Sequence, residues 1–407
     1  MCHLSRIRRI RRISKERFMV QRQGSLTAWV AGFLAVLISY AGPLVIFVQA
    51  AHAGQVPTPQ LVSWVWAISM GAGVSGLLLS WWFRLPIITA WSAPGTALLL
   101  SLFPGISMSE VVGAYLMAAL ILIAIGVTGY FEKILAFIPK GIAAGMMAGI
   151  LFQFGVQAFR SSVGAPLMVF AMLAAYLAGR RWWPRYGIVV VALTGFAVAF
   201  ASGRTELGAV SLELARPVFI APHVGLGVFF SLTVPLVLVS LTGQFLPGMA
   251  VLQLAGYHPP TRAVVTGTGL ASLAMACFGG ITIVLAAITA ALCTGKDAHP
   301  EPGKRYIAGI ANGVFYLIGG TFAASIVTLF AAFPKELIAA LAGLALIGAI
   351  VSNLRLMSQE GGYLEPSVIT FLATASGMSL FGLGAAFWGV VFGMSAYWLI
   401  GRPRNTT

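Results

Sequence analysis

The chain has 407 residues, of which 59% are hydrophobic and 9% charged, with a formal net charge of +15. A soluble domain carries roughly a quarter charged residues. Apolar runs of spanning length recur along this whole chain and mark an all-α, polytopic membrane protein. The runs do not alternate in segments of about ten residues, which excludes a β-barrel. Eight of the 25 Lys and Arg lie between Arg6 and Arg22. The positive charge therefore reads as an N-terminal arm touching anionic lipid and setting topology, not as a nucleic-acid surface. A start upstream of the natural one would give the same arm. No short apolar core with a cleavage site follows, so it does not read as a signal peptide. Cys2, Cys277 and Cys293 have neither metal nor disulfide spacing, and no cofactor is expected.

Apolar runs and their punctuation predict fourteen spans. The first seven are Leu26 to Ala51, Leu61 to Phe83, an interrupted segment at 86–103, Glu110 to Tyr130, Ile138 to Ala158, Gly164 to Ala178 and Gly187 to Ala201. Ser107-Met-Ser-Glu110 predicts a capping box at the start of the fourth. A polar connection, Ser202 to His223, precedes Gly227 to Ala255, Arg262 to Cys277 and a second interrupted segment at 279–295. Tyr306 to Leu329, Leu337 to Val351, Pro366 to Met378 and Phe381 to Ile400 complete the set. An even count puts both termini on one side, with 21 Lys and Arg there and 4 opposite (Arg160, Arg204, Arg216 and Lys335). That bias predicts cytoplasmic termini in a bacterial inner membrane.

The chain also repeats itself at an offset of about 195 residues, Pro139-Lys140 matching Pro334-Lys335 on opposite faces. Seven spans repeated once come back inverted. The expected organisation is an arm at 1–24, a first repeat at 25–203, a connection at 204–223 and a second repeat at 224–402.

The two interrupted segments occupy equivalent places in the repeats. In Leu85 to Ser101, Pro86 and the β-branched Ile87, Ile88 and Thr89 read as a short extended strand. Ser92 then caps a half-helix whose first turn tolerates Pro94. Taken alone, the stretch reads equally as a Pro-kinked span. Its mate, Gly279 to Lys296, also runs from β-branched residues into Ala-rich helix, and such a pair is the sequence mark of a transporter site.

None of the ten acidic residues or five histidines lies in the middle of a span, which disfavours a cation site, metal chemistry or an intramembrane enzyme. Two opposed helix N-termini without carboxylates favour an anion. Walls of Ala, Gly, Thr, Ile and Trp suit an apolar body behind its charge. Gln244, with Thr242 and Gly243, interrupts the eighth span and needs a partner. Thr89 and Ser92 at the first break, and Thr282 and Thr289 at the second, are anion or cap donors, or bond backbone carbonyls. Gln49 and Tyr40 of the first span face the same cavity on this reading, and Trp91 stacks on a ring or packs.

At these residues the sequence resembles the benzoate/proton symporter family. The likeness rests on Thr89-Ala-Trp-Ser-Ala-Pro-Gly95, Gln244-Phe-Leu-Pro-Gly248, Leu285-Ala-Ala-Ile-Thr-Ala-Ala-Leu-Cys293 and Ala298-His-Pro-Glu-Pro-Gly-Lys-Arg-Tyr306, in that order. It implies the seven-plus-seven inverted-repeat fold shared with nucleobase and sulfate carriers. A core (25–131 and 224–330) would move against a gate (132–203 and 331–402), with substrate between the third and tenth segments and facing the eighth. Two departures stand out: Val284 replaces an expected Asn, and Gly42-Pro43 replaces small hydroxyl residues. Both put benzoate itself in question relative to another aromatic or hydrophobic carboxylate.

The expectation is proton-coupled uptake of such an anion, held by N–H groups near Ser92–Ala93 and Leu285–Ala286 with Gln244 and Thr289 assisting. Glu110, Asp297 and Glu365, near span ends, are the candidate proton carriers. The expected partners are a small organic anion, a proton and membrane lipid, and a homodimer is an allowed assembly. The rival readings are a nucleobase or inorganic-anion carrier of this fold and an uncoupled uniporter or channel.

Overall fold

The computed structural model describes residues 25–400 except 104, 138, 184–186, 206–207, 209–210, 360–363 and 382. The basic arm at 1–24 lies outside the described residues, as do Glu206 and Glu360. Among the described residues, six helices are long and apolar enough to cross a bilayer, or seven if one bent pair is a single span. Length and composition thus reach six or seven crossings, short of the fourteen segments expected. The remaining segments are half-helices or shorter helices.

Helix α1, Ser25–Ala53, turns at Gly42, where Pro43 lacks the N–H that would continue the ladder. Helix α2, Thr58–Phe83, stops where Arg84 adopts the left-handed region. The chain then runs extended through strand β1, Thr89–Trp91, into half-helix α3, Ala93–Leu102. Helix α4, Met108–Thr128, opens with the expected capping box of Ser107 and Glu110. The short α5, Phe131–Phe137, leads to α6, Lys140–Arg160, α7, Pro166–Trp182, and α8, Gly187–Ala201.

From 211 to 225 the connection after α8 has neither helix nor strand and is pinned by backbone hydrogen bonds. Ala215 N–H donates to the Thr321 carbonyl, Ile220 to Cys277 and His223 to Ser109. Helix α9, Leu226–Leu254, contains two π-helical turns, Phe229–Thr233 and Leu241–Phe245. Each has a proline just beyond it. Pro235 and Pro247 would clash with the carbonyls of Ser231 and Gly243 in a regular helix, and widening the turn relieves that clash.

Helix α10, Thr261–Ala276, precedes strand β2, Ile283–Leu285, and half-helix α11, Ala287–Thr294. The expected eleventh span is bent by 69° between α12, Tyr306–Thr321, and α13, Ala323–Ala331. Gly319-Gly320 sits immediately before this bend. Helix α14, Lys335–Gln359, runs past the predicted end at Val351. Helix α15, Leu364–Ala375, is followed by a two-residue hairpin, Ser379–Leu380 with Leu383–Gly384, so the last helix, α16, starts at Ala385 rather than Phe381.

Two packing groups emerge. Helix α6 lies along α14, α15 and α16, and α7 and α8 pair beside α14. In the other group α2 packs on α10, α12 and β1, α4 on α10, and α9 on α3, α4 and α11. The groups meet where α1 touches α14 and where α3 and α9 touch α6.

Strands β1 and β2 pair antiparallel at the centre, with Thr89 opposite Leu285, Ala90 opposite Val284 and Trp91 opposite Ile283. Two glycines let neighbouring helices approach them. A Cβ on Gly76 of α2 would sit 2.6 Å from Thr89 Oγ1, and one on Gly248 of α9 would sit 2.6 Å from Leu285 Cβ. Gly248→Ala should therefore cost about 1–3 kcal/mol through overpacking. Gly227→Ala, which faces open space, should stay within about 0.5 kcal/mol. Thermal unfolding of the two purified variants in one detergent compares them directly.

Candidate functional site

The strand pair accounts for most of the backbone groups at the crossing. Beyond the paired strands, Ser92 N–H donates to the Thr282 carbonyl at 3.0 Å and Ala286 N–H to the Ile88 carbonyl at 2.9 Å. The N–H groups of Ser92 and Ala286 named as anion donors are thus engaged between the two segments. The donors left over belong to the first turns of α3 and α11, whose opening N–H groups have no intrahelical partner.

The two first turns differ. In α3, Ser92 Oγ accepts from Gly95 N–H at 3.1 Å, Thr96 N–H donates to the Ser92 carbonyl, and Pro94 has no N–H. Only Ala93 keeps an unclaimed donor there. In α11 the capping position is Ala286, which has no side chain to cap with. Among the described residues no side chain caps its N-terminus, and Thr289 Oγ1, 5% exposed, has no hydrogen-bond partner. The positive end of α11 and the Thr289 hydroxyl together form an anion-accepting corner.

The Thr89 and Thr282 hydroxyls are taken, whereas Tyr316 OH and the Trp91 Nε1–H, like Thr289 Oγ1, are buried without a partner. Thr89 Oγ1 donates to the Ala72 carbonyl at 2.7 Å and accepts from Ser75 Oγ at 3.2 Å, which ties β1 to α2. Thr282 Oγ1 lies 3.1 Å from Ser240 Oγ, which ties β2 to α9. Gln244 sits half-buried in the second π turn of α9, and that turn packs on β2.

Trp91 is 2% exposed and packs in an aromatic cluster. Tyr40 stacks on it with centroids 6.1 Å apart, while Phe47 and Tyr316 meet it edge-on at 6.3 and 5.9 Å. Tyr40 OH is hydrogen-bonded to Ser69 Oγ at 2.8 Å. Val284, at the position of the expected Asn, is fully buried opposite Ala90. Leu285 is likewise buried, facing Thr89 across the ladder.

Arg305 holds the far end of α11. Its Nη1 donates to the Thr294 carbonyl at 2.7 Å and its Nε to the His299 carbonyl at 2.8 Å. A cation on the last carbonyls complements the negative end of the helix. The Ala298–Tyr306 motif thus anchors the half-helix.

The structure brings Tyr40, Thr89, Trp91, Ser92, Ala93, Thr282, Leu285, Ala286 and Thr289 to one crossing, with the turn that carries Gln244 packed beside it. It leaves four candidates elsewhere. Glu110 closes the capping box through Ser107 N–H at 2.8 Å and Ser107 Oγ at 2.7 Å. Asp297 is exposed in the loop after α11, and Glu365 is exposed in the first turn of α15. Gln49 lines a cavity of about 640 Å³ with His52, Gln153, Gln157, Arg160 and Lys335. Sequence reading overlooked these companions. The signal was there, because Gln153 and Gln157 are amides one helical turn apart in an apolar span, as unusual as Gln244.

The family model for the benzoate membrane transport protein family, BenE, matches residues 23–399. A protein of Acinetobacter baylyi (strain ATCC 33305 / BD413 / ADP1) named Benzoate membrane transport protein is 55% identical over 385 residues, covering 95% of this chain and 98% of its own. Inner membrane protein YdcO of Escherichia coli (strain K12) is 38% identical over 368 residues, covering 90% and 94%.

Among solved structures, the transmembrane domain of the cyanobacterial bicarbonate transporter BicA aligns with a TM-score of 0.56 at 16% identity, over 92% of this chain and 96% of that one. The murine anion transporter Slc26a9 in its inward-facing state aligns with a TM-score of 0.62 at 13% identity, over 92% and 68%. These last two show the fold only. With its model spanning nearly the whole sequence and a relative this similar, the chain belongs to the benzoate membrane transport protein family.

Proposed function

We propose that this protein is a secondary transporter that carries benzoate, or a closely related aromatic or hydrophobic carboxylate, inward across the bacterial inner membrane together with a proton. The observation that carries the reading is the asymmetry of the two half-helices. One N-terminus is closed by Ser92, and the other is open beside an unpartnered, buried Thr289 hydroxyl. An open helix N-terminus with a hydroxyl donor suits one carboxylate, and no acidic side chain lies in either half-helix to repel it. The printed name of the Acinetobacter relative supports benzoate.

The carboxylate accepts from the first turn of α11 and from Thr289, and Gln244 adds a hydrogen bond from α9; Ala93 lies at the other end of the strand ladder, beyond reach of the same carboxylate. Fourteen segments in two inverted repeats frame this site. The antiparallel meeting of β1 and β2, centred on Ala90 and Val284, is the geometry an inverted repeat generates. The two packing groups support a core of 25–131 and 224–330 and a gate of 132–203 and 331–402. The core rocks against the gate to alternate access. The distribution of Lys and Arg supports cytoplasmic termini. A second reading, transport of an inorganic anion, draws on the BicA fold. The greater similarity to the Acinetobacter protein favours the organic acid.

Reconstituted protein should take up labelled benzoate saturably, faster when the outside is acid, and lose accumulation when an uncoupler is added. Saturable uptake of sulfate or uracil with none of benzoate would contradict the substrate. Benzoate uptake indifferent to the pH gradient would make the protein a uniporter.

Among site variants, Thr289→Val removes one hydrogen bond to a charged group, worth about 1.5–3 kcal/mol, and should weaken benzoate binding roughly ten- to hundredfold. Thr89→Val removes a hydroxyl already bonded to Ala72, and should lower thermal stability more than affinity. Equal affinity losses in the two would place the carboxylate elsewhere.

A further inference from the structure

The cavity of about 640 Å³ lies away from the strand crossing, where the second half of α1 and the end of α3 face α6, the start of α14 and the end of α15. Its volume is in the ~300–1,000 Å³ range of small-molecule sites. Its polar lining is cationic and amidic, with Arg160 ending α6, Lys335 opening α14, and Gln49 and Gln157 between them. Gln49 Oε1 is buried without a hydrogen-bond partner. Among the described residues no carboxylate lines the cavity; Glu336, next to Lys335, lies against Gly164 instead. The remaining wall includes Phe152 and Ile338. Cations and amide donors at the rim with apolar side chains behind them match an anion that has an apolar body.

The cavity has a small neighbour on its α3 side. A second void of about 10 Å³ shares Leu100 and Gln153 with it and reaches Ala97 of α3. Ala97 is about one turn from Ala93 at the half-helix N-terminus.

We propose that this vestibule is a separate binding station for the carboxylate, which it occupies before reaching the half-helices. Lys335 and Arg160 serve as counter-charges, and Phe152 and Ile338 receive the apolar body. The assignment rests on the reading that an organic carboxylate is the substrate. The station lies at the end of α1 remote from Ser25, the external face if the termini are cytoplasmic. Its cations raise the local concentration of the anion and capture it at low external concentration.

The test uses full-length protein carrying Val156→Cys, which places a thiol in the vestibule wall, with the parent as control for its own cysteines. Relative to its rate with free cysteine, an anionic methanethiosulfonate should modify this thiol at least about threefold faster than a cationic reagent of similar size, and benzoate should slow the reaction. Lys335→Gln combined with Arg160→Gln should abolish the preference. It should also raise the KM for benzoate uptake about three- to tenfold, a larger change than in Vmax, and flatten the salt dependence of KM. Lys335→Arg should keep the preference, and the elution profile of the double variant checks its folding.

Protection by benzoate without benzoate uptake would leave the station standing and remove benzoate as the transported species. Uptake without protection, or equal rates for the two reagents after normalisation to free cysteine, would overturn the station.

Discussion

Backbone hydrogen bonding inside the bilayer constrains everything else in this protein. A chain that leaves helical geometry in hydrocarbon exposes N–H and C=O groups that cost several kcal/mol each when unpaired. Here the chain does so twice, and each break satisfies the other: Thr89–Trp91 pairs with Ile283–Leu285, and the Ser92–Thr282 and Ala286–Ile88 bonds extend the ladder at both ends. Neither strand would be tolerable alone. The pairing also fixes the two half-helix N-termini at opposite ends of the ladder, so the element that solves the solvation problem also positions the proposed anion site.

The surrounding structure serves that pair. Gly76 and Gly248 give room for α2 and α9 to press on the strands. The Thr89, Ser75 and Ala72 bonds hold β1 to α2, and Ser240 with Thr282 holds β2 to α9. Arg305 fixes the opposite end of α11 through Thr294. Around the strand pair, Thr289 Oγ1, Trp91 Nε1 and Tyr316 OH are buried without a partner, and of these only Thr289 sits in the first turn of a half-helix. Val284 sharpens the asymmetry, because a buried apolar side chain in β2 brings no amide to the open N-terminus.

Much of this was legible in the sequence, for reasons that can be named. Pro86, the β-branched run and the Ser92 cap announced the first strand and half-helix, and the offset repeat located the second. Ser107 and Glu110 announced their capping box. What stayed hidden depends on tertiary pairing. That Thr89 and Thr282 bond to neighbours while Thr289 does not is decided by which helix packs opposite, and no local pattern records it. The 69° bend before Ala323 and the late start of α16 were likewise invisible to hydropathy, which sees apolar length but not direction. The vestibule was missed because its lining comes from five separate segments, although its glutamines were visible one by one.

Function in this protein turns on where the carboxylate lies. A structure of the protein with 4-iodobenzoate, whose iodine can be located by anomalous scattering, tests it most directly. The account predicts the carboxylate oxygens within about 3 Å of the first-turn N–H groups of α11 and of Thr289 Oγ1, with the iodinated ring pointing away from the helix end. A ligand whose carboxylate is bound instead at the Ser92 turn, or at neither half-helix, would contradict it.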